Sequence, residues 1–234
     1  MRFPFVIPVL LVLPLAGYAQ SSTNSEVGRT LTGDFNNGYA LAPREMAGIQ
    51  GSVFLLPNWR PGKLQFNGGN KPYDVPLKYD IYSMELRVKR PAGDSVVVPL
   101  MRVKEFSLEG KRFACYPAAT LPTDVGGGCG EVLYDDPTVQ LLKFQRKVIV
   151  KRRIDDGGYA SNNTMSVLEE QTHYYLRWAG DGHYSALKLK RASLEQALAA
   201  QPAALTALKA QKGSISSEGE LVAAVAAVAP KLSK

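Results

Sequence analysis

Few side chains in this 234-residue chain have the type and spacing to do chemistry. Cys115 and Cys129 are its only cysteines. In an oxidising compartment a pair at this separation favours a disulfide. The bridge would close 116–128 and restrain the flexible run Gly126-Gly127-Gly128. Two free thiols, or a metal or catalytic role, are the alternatives. His173 and His183 are the only histidines, and with Asp181 they would offer two nitrogens and a carboxylate across one reversal. Nothing adds a further ligand at metal spacing, so they read as ordinary strand and turn histidines. The acid pairs Asp135-Asp136, Asp155-Asp156 and Glu169-Glu170 are adjacent. Neighbours on a strand point to opposite faces, and acids before Pro or Gly are turn chemistry. Two carboxyls facing one cleft are therefore not visible.

Two groups of residues suggest binding rather than catalysis. The segment Leu142 to Arg153 carries Lys143, Arg146, Lys147, Lys151, Arg152 and Arg153 with no acid between them. Lys143, Lys147, Lys151 and Arg153 share a parity, opposite that of Leu142, Phe144, Val148 and Val150. On a regular strand they would line one face and attract the phosphates or carboxylates of an anionic partner. The plainer reading is a solvated face that resists edge pairing. Tyr174, Tyr175, Trp178 and Tyr184 cluster around one hairpin, and Trp59, Tyr73, Tyr79 and Tyr82 around another region. Such rings either stack on sugars as a platform or simply fill a core. Motifs for other chemistry are missing. No phosphate loop, no Gly-x-Ser-x-Gly elbow and no Cys-x-x-Cys occurs, and Glu131 stands where a dinucleotide fingerprint needs its last glycine. No cofactor is called for.

The elements that must position these residues are mostly strands. From Asp80 to Arg90, Tyr82, Met84, Leu86 and Val88 alternate with Ser83, Glu85, Arg87 and Lys89, which reads as one half-buried strand. Val96 to Met101 follows a turn at Arg90 to Asp94. Reversals are expected at Asn67-Gly68-Gly69, Glu109-Gly110-Lys111, Asp155-Asp156-Gly157-Gly158 and Gly180-Asp181-Gly182. Strand, tight turn, strand implies antiparallel pairing, so the fold class is α+β, mainly β. We expect a meander of eight to ten strands, curled into a barrel-like or sandwiched sheet, over residues 49–191. Ala and Leu then dominate 192–234, a helical tail of two or three short helices docked on the sheet. Ser193 with Gln196 and Ser217 with Glu220 match capping boxes, and Pro202 opens a helix at its first turn. Leu194, Leu198, Leu205, Leu208, Leu221 and Val225 are its packing residues.

Residues 1–19 read as a signal peptide: Arg2, an apolar run from Phe3 to Leu15, then Gly17-Tyr18-Ala19. Residues 20–48 read as a loosely ordered lead-in. Tyr18 follows Leu15-Ala16-Gly17 where a lipoprotein needs Cys, so the expected product is periplasmic or extracellular and not a lipoprotein. No later apolar run is long enough for a membrane helix. Lys+Arg 28 against Asp+Glu 21 gives a formal charge of +7. Export separates that charge from nucleic acid, which is not an expected partner.

A pattern of scaffold residues runs Gly51-x-x-x-Leu55-x-x-x-Trp59-x-x-Gly62, Leu77-x-Tyr79-Asp80-x-Tyr82 and Val103-x-x-Phe106. With the capped carboxy-terminal helices it resembles a group of uncharacterised exported proteins of Bacteroidetes-type bacteria. The resemblance implies export and a meander; it brings no catalytic residue. The expected function is a non-catalytic envelope or extracellular protein that binds an anionic glycan, a lipid surface or a protein partner. A carrier of a small apolar ligand in a β-barrel, and a hydrolase with an unrecognised carboxylate site, are the alternatives.

Overall fold

A computed structural model describes residues 46, 48–91, 93–125, 127–153, 164–180 and 182–232. The signal peptide, nearly all of the lead-in and the reversal at Asp155 to Gly158 lie outside the described residues. Eleven strands form one sheet: β1 (Ile49–Gln50), β2 (Arg60–Phe66), β3 (Tyr73–Asp80), β4 (Glu85–Lys89), β5 (Ser95–Val98), β6 (Val103–Leu108), β7 (Lys111–Cys115), β8 (Cys129–Asp135), β9 (Val139–Arg153), β10 (Thr164–Trp178) and β11 (Tyr184–Leu187). Their order is β1-β10-β9-β8-β7-β6-β2-β3-β4-β5, with β11 also paired to β10. Every ladder is antiparallel except the short parallel β1–β10 contact. The sheet is therefore a meander, as short turns demand, and it stays open. β9 and β10 pair over their whole length, from Val139↔Trp178 to Arg153↔Thr164.

The alternation read as one strand from Asp80 to Arg90 is broken in two. The Asp80 carboxylate accepts the N–H groups of Tyr82 and Ser83 at 3.0 and 2.8 Å. Met84 adopts φ 55°, and the chain turns back into β4. An Asp side chain that mimics a backbone turn overrides a period-two pattern. The expected reversal at Glu109-Gly110 is present, with both residues at positive φ between β6 and β7.

Tyr79, Phe106 and Phe113 anchor the core of the first half of the sheet. Phe106 and Phe113 stack at 4.9 Å, and Tyr79 meets Phe106 edge-on at 5.3 Å. Three helices follow: α1 (Arg191–Ala197), α2 (Pro202–Ala210) and α3 (Glu218–Val228). Leu194, Leu198, Leu208, Leu221 and Val225 are buried in one cluster with Val139, Leu141, Leu176 and Leu187, and Leu205 packs against it. Helices this short are marginal alone, so this apolar contact is what holds them. Arg191 adds a polar tie. Its guanidinium donates to the carbonyls of Gln211 and Gly213, both at 2.9 Å, and to that of Leu208, at the carboxy-terminal end of α2. No helix of the described residues is long and apolar enough to cross a membrane.

Candidate binding groove

Strand register decides which residues can meet. Tyr174 pairs with Lys143 and Leu187, while Trp178 pairs with Val139, so these project to the face that the helices cover. Tyr175 pairs with Leu142, and Tyr184 with Arg177, so these project to the other face. That face is covered by the loop 116–128, whose Leu121 and Val125 pack on Leu142, Phe144 and Tyr175. The four aromatics expected as one platform are thus divided between two faces. Tyr175 and Tyr184 meet edge-on at 6.2 Å and serve as core. Burial pushes both phenols up, and Tyr175 is raised further by donating to Asp124.

The cysteines are bridged, directly opposite one another on β7 and β8 with Cα atoms 4.1 Å apart. This rung closes the base of the loop, as its spacing suggested. The cationic face is not assembled as expected. Lys143 is nearly buried, 2.8 Å from Glu218 and 3.5 Å from Glu131. Its ammonium is held above the ordinary range because these two carboxylates outweigh its burial. Lys147 donates to the carbonyls of Ser52 and Phe54 at 2.7 and 2.8 Å, and burial lowers its pKa. Lys151 and Arg153 remain exposed. Parity along a strand does not reveal what covers a face.

A groove runs between the β10–β11 hairpin and α1. One part, about 810 Å³, is built on Trp178, Thr138, His183 and Ser185 from the sheet side and Gln196 and Gln201 from the helical side. Ala197, Ala199 and Ala200 line it as well, and their short side chains leave the space open. The Trp178 indole N–H donates to Ser185 Oγ at 3.1 Å, which fixes the ring. A second part, about 850 Å³, shares Ser185, Gln196 and Ala197 with the first and continues past the margin of β11. Its lining includes Asp124, His173 and Tyr175 together with Lys188 and Lys190. Tyr175 donates to Asp124 Oδ2 at 2.5 Å, and His173 Nδ1 lies 3.5 Å from the same oxygen. His173 Nε2 is buried and makes no hydrogen bond.

The site therefore joins an aromatic face, amide and hydroxyl groups, two ammoniums and one carboxylate. Trp178, Tyr174, Tyr175, His173 and His183 stand out in the sequence; Asp124, Lys188 and Lys190 do not, and Gln196 does so only as a helix cap. The available signal for Asp124 was its place between Leu121 and Val125 inside a cysteine-closed loop, which marks a pinned segment rather than a loose one. No group of three or more His, Cys, Asp or Glu among the described residues is arranged to hold a metal ion. Comparison with family models, curated proteins and solved structures finds no match for this chain.

Proposed function

We propose that this is an exported, non-catalytic binding protein that holds a saccharide bearing acidic groups in the groove between the β10–β11 hairpin and α1. One observation carries the reading: a cavity lined by Trp178 shares Ser185, Gln196 and Ala197 with a neighbouring cavity lined by Lys188 and Lys190. An indole face stacks on the apolar side of a sugar ring, while amides and hydroxyls satisfy its hydroxyl groups. Exposed ammoniums beside it favour carboxylate, sulfate or phosphate substituents. The signal-peptide pattern supports export, and a disulfide fits the oxidising compartment that export implies. Among the described residues, Asp124 is the only carboxylate lining these two cavities. An open sheet favours this external groove over a ligand enclosed in a barrel.

The chain contains two tryptophans, so Trp59→Phe leaves Trp178 as the only indole reporter. Oligogalacturonate added to that variant should shift Trp178 fluorescence, and a neutral oligosaccharide should do so more weakly. Changing Lys188 and Lys190 to Gln should lower affinity for the acidic chain about tenfold, and added salt should mimic the change. Silence of Trp178 toward every saccharide, with no heat in calorimetry, would end this reading.

A further inference from the structure

We infer that Asp124 determines the specificity of this groove, selecting a saccharide that carries an amine beside its acidic group. The inference rests on the groove reading above and narrows its ligand class.

Asp124 comes from a loop, yet it is not free to wander. The loop is closed at its base by the Cys115–Cys129 rung and pinned beneath by Leu121 and Val125. Two sheet residues hold the carboxylate itself, Tyr175 by donation and His173 by proximity, and both act on Oδ2. The Asp124 side chain nonetheless stays 53% exposed and lines the same cavity as Lys188 and Lys190. A held carboxylate and two lysines lining one cavity make a charge pattern with a definite complement. A purely acidic sugar satisfies the lysines but is repelled at Asp124. A ligand with a protonated amine toward Asp124 and an acid toward the lysines satisfies both, and the acetylated amine loses the charge.

The obvious objection is that Asp124 only pins its loop through Tyr175. A preference ratio separates the two roles. Muramic acid carries an amine and a carboxylate, and N-acetylmuramic acid replaces the amine by an amide. With Trp178 as reporter, and below the pKa of the amine, muramic acid should bind about tenfold more tightly, as expected for a charged rather than neutral hydrogen bond. Asp124→Asn should bring the two affinities within about twofold of one another. Tyr175→Phe loosens the loop without removing the charge, so it should weaken both ligands and keep their ratio. Equal affinities in the unaltered protein, or a preference that survives Asp124→Asn, would overturn the inference while the groove reading stands. Failure of these probes and of oligogalacturonate to bind at all would overturn both.

Discussion

Gly62 marks how tightly single residues are fitted here. A Cβ at this position would lie 2.8 Å from Leu77 Cδ1 and inside contact distance of the Ser107 carbonyl. Gly62→Ala should therefore cost about 1–3 kcal/mol in denaturant unfolding, as overpacking does. The cysteines yield a second expectation. Replacing both with Ser should lower stability by roughly 3 kcal/mol, the loop-entropy value for this span, and unreduced protein should show no free thiol by mass. This pair was legible from sequence because pairing required only a partner and a compartment. Lys143 and Lys147 were not. Their parity was plain, but the acids at Glu131 and Glu218 and the carbonyls at Ser52 and Phe54 come from distant segments.

At the scale of elements, the docking of α3 turns on charge. Ser217 and Glu220 form the capping box that the sequence announced. Glu218, in the first turn, meets Lys143 at 2.8 Å and accepts from Tyr174 at 3.0 Å. Although burial opposes it, these partners hold the Glu218 carboxyl below its usual range. Its contribution is full above the unfolded value of about 4.3 and fades as pH falls through the lower folded value. Lys143, shifted upward, contributes fully below about 10.4 and is lost as pH rises through its folded value. Glu218→Gln should cost on the order of 1 kcal/mol near neutral pH, discounted for partial exposure. Melting curves of the two proteins should converge in acid; a constant gap would contradict this account.

Helix α1 was read less well. Its amino-terminal cap is Lys190, without a side-chain bond, and Ser193 Oγ instead accepts the backbone N–H of Lys188. A capping pattern is a local signal, and here the turn out of β11 took the hydroxyl first. Pro202 does open α2, because its fixed φ suits that position whatever surrounds it.

At the largest scale, the sheet and the helical tail share one apolar cluster. Removing the chain after Lys190 would uncover Val139, Leu141, Leu176 and Leu187. That truncation should abolish a cooperative thermal transition, and the milder Leu208→Ala should cost about 2–5 kcal/mol. An unchanged melting temperature after truncation would make the tail an appendage. The meander was legible because turn residues punctuate it and alternation repeats between them. The groove was not, because it exists only where β11, α1 and the loop 116–128 converge, and no local pattern records such a meeting.

That convergence also sets a timetable. The ribosome makes every strand of the sheet before it makes α1, so the groove lacks one wall until the helices have folded back. On the proposed function, ligand capture would wait until the helical tail has folded. A chain clipped within the tail would lack both the wall that α1 supplies and the apolar contacts of the tail, so on the same proposal it should not compete with intact copies for ligand.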